Sequence, residues 1–551
     1  MSDNLTHLAR RFGLNRLLFD ELARRKHQNG RLTEADIREL ADRYLIGVAN
    51  VYGTASAYDF LLDDSSDVYV CDGTACMLAG SQESLRKSLE SRGLRVGKMV
   101  CLGRCHENHA FHYRGKNYSG VDHQHLDAIL SGTYEERNDE YGVYHVGTPL
   151  LTGQALDAER CRRRYEEALQ RPAADLLDEV RQSRLRGRGG AGFPMHIKLE
   201  SVRSQDADEK YIVCNADEGD PGAYTDRYLL EQRPYEVLLG MALAGYITGA
   251  REGVLYIRYE YPHALRVLRE AIDVFHSWGS LSTAEASDFA FRFYIVMGQG
   301  AYICGEETAL LNSIEGKRPE VRTRPPYPSQ EGLFGRPTLV NNVETLACLP
   351  FIVHMGGEVF ASIGTARSTG TKLLSLDGHF QKPGVYEVPM GYPLSELVYT
   401  HAGGFRKPVK ALQIGGPLCG VVPVSMIEEL TIDFESFEER GFLLGHAGVV
   451  AIPEDFPMIR YMQHLFAFTA HESCGKCFPC RIGALRGAEL LQKAIEEDYR
   501  IDAELLDDLL DTLQHGSLCG LGGGLPLPIR NILQHFKEEL QQHFHTKIPA
   551  S

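Results

Sequence analysis

The sequence predicts a multidomain α/β protein. The chain has 551 residues, which is too many for one hydrophobic core, so three or four domains are expected. Short apolar segments such as KYIVC and RFYIVM have the length of buried strands and lead into polar, glycine-rich turns. Near the C-terminus, apolar residues instead recur at helical spacing. These patterns place an α/β region in the middle of the chain and helices at its end.

The bulk composition is that of a globular protein, with 43% hydrophobic and 24% charged residues. The net charge of −16 argues against nucleic acid as a partner. We find no apolar run long enough to span a membrane and no signal-peptide stretch, so we expect a cytoplasmic protein without direct membrane insertion. Thirteen cysteines in such a chain do not fit a disulfide framework. Five scattered ones are expected to be buried thiols: Cys161, Cys214, Cys304, Cys348 and Cys419.

The N-terminal third contains two cysteine pairs, Cys71 and Cys76 in CDGTAC and Cys101 and Cys105 in CLGRC. A short predicted strand runs into each pair, and residues 82–92 form a predicted helix between them. Loops that follow two strands can meet at one edge of a sheet, where four thiolates suit a [2Fe–2S] cluster. The alternative is two disulfides or unused cysteines.

A helix is predicted before this region. Thr33 and Asp36 have the spacing of a capping box. The residues that follow at helical spacing make one apolar face: Ile37, Leu40, Ala41 and Tyr44.

A dense glycine loop lies in SRLRGRGGAGFPMHIK, residues 183–198. Such a loop exposes backbone N–H groups to an anion, and the flanking Arg186 and Arg188 add positive charge. The loop fits neither the P-loop pattern nor the GxGxxG dinucleotide pattern. The alternative is a flexible surface loop. Its glycines are Gly187, Gly189, Gly190 and Gly192.

Polar residues follow three predicted strands. Polar groups at the carboxyl end of a strand in an α/β sheet usually face a ligand. Each segment alone could be a helix cap or a turn. Together with the glycine loop they supply an anion cradle, carboxylates and amides, which suits a phosphorylated heterocycle. The residues concerned are Asn215, Asp217, Glu218 and Asp220 after the first strand, Glu306 and Glu307 after the second, and Asn341 and Asn342 in the third segment.

The C-terminal region has three cysteines at C-x2-C-x2-C spacing, Cys474, Cys477 and Cys480, and a fourth, Cys519, in GSLCGLGGGLP. Soft thiolates at this spacing suit a [4Fe–4S] cluster, and the glycines allow the backbone to approach it. A zinc site or plain thiols are the alternatives. The cluster is expected at one end of a helical bundle formed by the predicted helices 482–496, 502–515 and 527–540.

Taken together, these motifs resemble the family of NADH-oxidising flavoprotein subunits of complex I. The family includes the diaphorase subunits of NAD-reducing hydrogenases and the β subunits of NAD-dependent formate dehydrogenases. The resemblance covers about residues 150–540 and rests on RGRGGAGFP, NADEGDPG, GAYICGEETALLNSIEGKRP, RPPYP, PTLVNNVET and ESCGKCFPC. The N-terminal part resembles the thioredoxin-like ferredoxin subunit that partners this flavoprotein, here fused to it. The short interval between the two cysteine pairs looks closest to formate dehydrogenase β subunits.

The resemblance implies FMN, NAD(H), one [4Fe–4S] and one [2Fe–2S] cluster. Glu307 looks like the catalytic carboxylate beside the nicotinamide, and Phe193 like an aromatic wall for the adenine. Glu218 looks like a further pocket residue. Arg324 and Tyr327 stand where the family often has Lys and Phe. The implied FMN shell and the rest of the cofactor site are Gly187, Arg188, Gly189, Gly190, Gly192, Lys198, Asn215, Asp217, Tyr302, Gly305, Glu306, Asn341 and Asn342.

The resemblance also implies a domain order. We expect a helical segment plus a thioredoxin-like [2Fe–2S] domain over 1–135 and a Rossmann-like FMN/NADH-binding domain over 150–350. A ubiquitin-like β-grasp insert is expected over 351–435, and a helical bundle with the [4Fe–4S] cluster over 440–551.

The implied function is that of an NADH dehydrogenase (diaphorase) subunit, which exchanges hydride between NAD(H) and FMN and single electrons with iron–sulfur clusters. The implied partner is the catalytic subunit of a larger redox complex that carries further clusters, and the leading candidate is the α subunit of a formate dehydrogenase. A hydrogenase or an NADH:quinone oxidoreductase is the alternative. A redox-silent assembly protein is a hypothesis of another class, and the eight intact cysteines argue against it.

Overall fold

In a computed structural model, the chain has the predicted α/β multidomain fold. Helices surround two four-stranded sheets and one six-stranded sheet. None of the helices in the described part of the chain is both long and apolar enough to cross a membrane. The structure describes residues 14, 17–62, 66–135, 137, 139–285, 288–545 and 547–548.

The described part of the N-terminal segment is helical, and the helix Glu34–Tyr44 begins with the predicted capping box. The Thr33 hydroxyl accepts from Asp36 N at 3.1 Å, and the Asp36 carboxylate accepts from Thr33 N at 2.9 Å. The predicted apolar face is buried. This helix stops at Tyr44 because Leu45 takes a left-handed conformation with φ of 54°. The helices are Leu18–Asn29, Glu34–Tyr44, Val48–Ala55 and Asp59–Leu62.

A small sheet follows, with strand order β2-β1-β3-β4. β1 and β2 are parallel neighbours, so their carboxyl ends lie at one edge of the sheet. Cys71 ends β1 and Cys101 follows β2 at this edge, as predicted. The strands are β1 (Val68–Cys71), β2 (Val96–Met99), β3 (Phe111–Tyr113) and β4 (Lys116–Tyr118), and the helices are Thr74–Leu78, Gln82–Glu90 and Leu126–Ser131. The next strand, β5 (Gly142–His145), belongs to the six-stranded sheet.

The central domain has a fully parallel sheet with strand order β8-β7-β6-β9. Two helices that are apolar on all sides, 234–248 and 343–355, cross in the core. They approach so closely that a Cβ on Gly240 would lie 1.9 Å from Leu346 O. The strands are β6 (Tyr211–Ala216), β7 (Glu252–Ile257), β8 (Arg292–Met297) and β9 (Thr338–Asn342). The helices are Ala158–Leu169, Ala173–Ser183, Met195–Arg203, Thr225–Gln232, Pro234–Thr248, Pro262–Ser277, Glu307–Ile314, Pro328–Glu331, Val343–Met355 and Gly357–Ala361.

The third sheet has six strands in the order β13-β12-β14-β10-β11-β5. Two of them, β5 and β14, lie outside the range 351–435 expected for the β-grasp insert. β5 pairs with β11, which lies far later in the chain, and no local sequence pattern predicts this pairing. The other strands are β10 (Thr371–Leu376), β11 (Gly384–Pro389), β12 (Val409–Ile414), β13 (Val421–Pro423) and β14 (Gly448–Pro453), with helical turns at Glu396–His401 and Phe434–Glu439.

The C-terminal region is a bundle of helices, as predicted. The boundaries of the first two predicted helices are within two residues of the expected ones, but the third, 527–540, is two helices that break at Phe536. The turn Pro479–Gly483 connects the cysteine loop to the second helix of the bundle. The helices are Met458–Glu472, Ala484–Glu496, Ala503–Gly516, Gly520–Gly524, Pro526–His535 and Lys537–Leu540.

Two buried ion pairs join the six-stranded sheet to the central domain. Lys372 on β10 pairs with Glu344 on helix 343–355, and neither side chain has any exposure. His446, just before β14, contacts Asp226 on helix 225–232 at 3.1 Å. Burial disfavours the charged imidazole, but the Asp226 carboxylate outweighs it and raises the pKa of His446 to about 9.

Replacing Lys372 with Met should lower the free energy of unfolding by about 3–5 kcal/mol, because it leaves the Glu344 carboxylate buried without its counter-charge. The double variant K372M/E344Q should recover most of this loss, since no charge then remains. Urea denaturation measures both. K410M, which breaks a partly exposed pair with Glu539, is the control and should cost about 1 kcal/mol or less. If the single variant K372M lost only a small part of the free energy of unfolding, the assignment of a stabilising buried pair would be contradicted.

His446 should make stability depend on pH. Because its pKa rises from 6.5 to about 9 on folding, its contribution is fully present below about pH 6.5 and is lost as the pH rises through 9. The difference in unfolding free energy between wild type and H446Q should be roughly 3 kcal/mol at most in acid and should vanish in alkali. Denaturation curves across this pH range test it. H263Q, at an exposed position, should show no such trend, and a pH-independent H446Q difference would refute the assignment.

Candidate functional site

The glycine loop lies between helices 173–183 and 195–203, against the end of β9. Its base is closed by a hydrogen bond from Gly187 N to Phe193 O at 2.9 Å. Gly190 has φ of 120° and Gly192 has φ of 59°, conformations that favour glycine. A Cβ on Gly189 would lie 2.8 Å from Asn342 Cβ, so a side chain would push the loop off the strand end. The loop is therefore an ordered cradle and not the flexible surface loop of the alternative interpretation.

The two arginines that flank the loop have different contacts. Arg186 stacks over the Phe434 ring at 4.3 Å and pairs with Glu435. Arg188 is fully buried, and its guanidinium donates to Thr369 O. We expected these guanidinium groups to add charge to the cradle. Arg186 instead contacts helix 434–439, a partner from a distant segment of the chain. Arg188 Nε is buried without a hydrogen-bond partner, so the expectation for Arg188 stays a prediction.

The polar strand ends converge beside this loop. β6 and β9 are adjacent, and their register places Asn215 next to Asn342. Asn215 donates to Gly305 O at 2.7 Å, and this brings the turn after β8 to the same edge. The Nδ2 atom of Asn341 and the Oδ2 atom of Asp217 are buried without a hydrogen-bond partner. Buried polar atoms are rarely left unpaired, so this edge fits a polar ligand such as the implied FMN.

Charged residues form the outer part of the site. The Nζ atom of Lys198 lies 3.0 Å from a Glu307 carboxylate oxygen and also donates to Val340 O at 3.1 Å. Arg324 pairs with Glu306, whose carboxylate also caps helix 307–314. The aromatic side chains expected in the nucleotide pocket, Phe193 and Tyr327, are 46% and 53% exposed. Together these side chains form an exposed polar and aromatic surface beside the cradle.

Glu218 is oriented differently from its neighbours. Its carboxylate accepts hydrogen bonds from Asp226 N and Arg227 N and from the Tyr261 hydroxyl. Burial raises the pKa of Glu218 to about 7. Its oxygens are thus occupied within the protein, although the sequence suggested that it lines the pocket.

The four C-terminal cysteines form one cluster with apolar neighbours, including Ile303 and Phe468. Gly475 has φ of 83°, which allows the sharp turn of the cysteine loop. A Cβ on Gly522 would lie 2.7 Å from Cys480 Cβ, so the glycine segment approaches the cysteines as predicted. Four convergent sulfurs in an apolar shell fit a [4Fe–4S] cluster. The cluster residues are Cys474, Cys477, Cys480 and Cys519.

The four N-terminal cysteines also converge. All four are buried, and Cys101 Sγ lies 3.5 Å from Cys105 Sγ. None of the chain's thirteen cysteines forms a disulfide, which removes the disulfide alternative. A hydrogen bond from Cys105 and, against the effect of burial, the nearby Arg258 charge lower the pKa of Cys101 to about 6. Four convergent buried sulfurs, those of Cys71, Cys76, Cys101 and Cys105, fit a [2Fe–2S] cluster.

The five scattered cysteines lie outside both sets. Four are buried as expected, but Cys419 is only half-buried, because it lies in the turn between β12 and β13.

Glu472 and Arg258 are site residues that the sequence analysis did not name. Glu472 accepts from Tyr302 N at 2.8 Å, and burial raises its pKa to about 7. The Tyr302 hydroxyl donates to Asp220 at 2.6 Å. Arg258 lies between the strand ends and the N-terminal cysteine loop. Glu472 is the first residue of the ESCGKCFPC motif, but its contact with Tyr302 is not visible there, and no motif marks Arg258, because both act through contacts between distant segments.

Comparisons with known families agree with this geometry. The matched descriptions are "Thioredoxin-like [2Fe-2S] ferredoxin" for residues 10–134, "Nuo51 FMN-binding domain" for 180–350, "SLBB domain" for 375–422 and "NADH-ubiquinone oxidoreductase-F iron-sulfur binding region" for 460–543.

Individual relatives cover most of the chain. It is 42% identical over 405 residues to the HndC subunit of the NADP-reducing hydrogenase of Solidesulfovibrio fructosivorans, covering 72% of this chain and 82% of the relative. It is 43% identical over 374 residues to the F 2 subunit of the NADH-quinone oxidoreductase of Rhizobium meliloti (strain 1021), covering 67% and 88%. A solved structure of NAD+-reducing [NiFe]-hydrogenase in the air-oxidized state matches with a TM-score of 0.85 and 30% identity, covering 96% of this chain and 94% of that chain.

These similarities extend over the cradle and both cysteine sets. The chain therefore belongs to the family of NADH-oxidising flavoprotein subunits of the complex I and NAD-reducing hydrogenase type, with an FMN-binding domain, a thioredoxin-like [2Fe–2S] domain and a [4Fe–4S] region, and it is a subunit of an NAD(P)-dependent oxidoreductase.

Proposed function

We propose that this chain is the NAD(H)-linked input module of a larger redox complex. The observation that carries the proposal is the strand edge where Asn341 Nδ2 and Asp217 Oδ2 are buried without partners. Four cysteines from each end of the chain are gathered into sets packed against the same central domain. Bound FMN supplies the conversion between the two-electron chemistry of NAD(H) and the one-electron chemistry of iron–sulfur clusters.

The chain's own residues bind and orient in this proposal. The loop 187–192 lets its backbone approach the cofactor, and the amides of Asn215 and Asn341 offer hydrogen bonds to it. Lys198 holds the Glu307 carboxylate in place, so that Glu307 can orient the nicotinamide without acting as an acid or base. Holding two reactants in line can supply about 7–11 kcal/mol of a reaction barrier.

The partner is the less specific part of the proposal. The short interval between the two cysteine pairs supports the catalytic α subunit of an NAD-dependent formate dehydrogenase. A hydrogenase is the second candidate, because the similarity to the NAD+-reducing [NiFe]-hydrogenase structure extends through the fused N-terminal domain. Co-purification of the natural complex, with formate and hydrogen compared as electron donors for NAD+ reduction, distinguishes the two candidate partners.

We further propose a cytoplasmic location, since thirteen free thiols suit a reducing compartment.

Anaerobic titration with NADH tests the module itself. The full chain should hold one FMN and about six iron atoms, and NADH should bleach the flavin absorption and produce two distinct cluster signals in EPR. C477S should lose only the [4Fe–4S] signal and C76S only the [2Fe–2S] signal, because each removes one ligand of one set. C161A, at a buried thiol outside both sets, is the control. About four iron atoms per FMN would show that the N-terminal site is empty, and absence of bleaching would overturn the enzyme assignment.

Glu307 is tested by substitution with Gln, which keeps its shape and removes its charge. We expect kcat/KM for NADH oxidation with ferricyanide to fall about 10–100-fold, since a charge-assisted hydrogen bond is worth about 1.5–3 kcal/mol. FMN content should stay unchanged, because Glu307 lies at the outer part of the site. E358Q, at an exposed helix position, should match wild type. Wild-type kinetics in E307Q would remove Glu307 from the proposed site.

A further inference from the structure

Arg258 connects the strand edge to the N-terminal cysteine loop. It follows β7 directly and is only 5% exposed. Its guanidinium donates to Glu218 O at 2.6 Å, to Val100 O at 2.9 Å and to the Glu260 carboxylate at 2.6 Å. Val100 immediately precedes Cys101, so a buried positive charge from the central domain sits on the loop that carries two sulfur ligands.

The rest of the loop is also held from outside its own domain. Gly103 O accepts from Arg227 at 2.9 Å. The Tyr261 ring packs on Gly103 so closely that a Cβ there would lie 2.7 Å from it. Cys105 O accepts from Gly378 N, in the turn after β10, at 2.8 Å. The surroundings of Cys101 and Cys105 are therefore built largely by other domains.

The charges around the two arginines differ. Arg227 is paired with two carboxylates, Glu231 and Asp139. Arg258 is paired with one, Glu260, and the second Glu260 oxygen is buried without a partner. Arg104, on the loop itself, shares Asp139 with Arg227, whereas Arg258 is the arginine that donates to the backbone carbonyl beside Cys101.

We propose that Arg258 is a positioning residue that raises the midpoint potential of the [2Fe–2S] cluster from across the domain boundary. This inference rests on the proposed function of the cysteine set. One-electron reduction breaks no bond and adds one negative charge to the four-thiolate unit. A buried cation on the ligand loop stabilises that added charge, since hydrogen bonds, local charge and solvent exposure set the potentials of such clusters.

Substitutions of Arg258 and Glu260 should shift the [2Fe–2S] midpoint potential in opposite directions, which makes the inference testable. R258M removes the cation and leaves Glu260 nearby, so the [2Fe–2S] midpoint should move to a more negative potential. R258K keeps the charge and should restore most of the shift. E260Q keeps Arg258 and removes its counter-charge, so the midpoint should move to a more positive potential. The [4Fe–4S] midpoint should move less in every variant, because the described hydrogen bonds of Arg258 do not reach the Cys474–Cys480 loop.

The experiment is a potentiometric titration of the anaerobically purified full chain, with dithionite as reductant and EPR detection of both clusters. Opposite shifts in R258M and E260Q, with rescue in R258K, would support the inference. Unchanged [2Fe–2S] midpoints in both variants, or equal shifts of both clusters, would overturn it. If R258M fails to assemble the cluster, the E260Q variant decides: a more positive [2Fe–2S] midpoint supports the inference, and an unchanged one overturns it. Absence of a [2Fe–2S] signal in wild type would instead overturn the proposed function of this cysteine set, and the inference with it.

Discussion

The parallel pairing of β6 with β9 is the constraint on which the rest of the site depends. Since both strands run in the same direction, their carboxyl ends must meet at one edge. The pairing register brings Asn215 beside Asn342, and the glycine loop packs against that strand end because it carries no side chains there. A single-residue slip would turn every one of these side chains to the other face of the sheet.

The two cysteine sets are arranged around this edge by contacts between domains. The N-terminal set depends on Arg258, which follows β7, on Arg227 of helix 225–232 and on Gly378 in the turn after β10. The C-terminal set packs beside Ile303, next to Tyr302, whose amide donates to Glu472. β5 adds a further tie, because it crosses from the N-terminal region into the six-stranded sheet. The domains therefore act together as one scaffold for three sites that must lie close to one another.

Burial of ionisable groups is concentrated in the same region. Burial raises the pKa values of Glu218 and Glu472 to about 7, and it raises the pKa of Asp217 well above its usual range. Carboxyl groups that hold a proton near neutral pH limit the negative charge between sites that already gather eight thiols. The ion pairs of Lys372 and His446 are buried nearby and join the six-stranded sheet to the central domain.

The sequence by itself determined the local features. The capping box at Thr33, the strand β8, the bundle helices and the two cysteine sets follow from spacing and periodicity over short windows, where side-chain chemistry alone decides the outcome. Tertiary structure decided what distant segments do to one another. It paired Arg186 with Glu435, placed β5 and β14 in one sheet and set Arg258 on the cysteine loop. The physical reason is that hydrogen bonds and buried charges between segments hundreds of residues apart leave no periodic trace in the sequence.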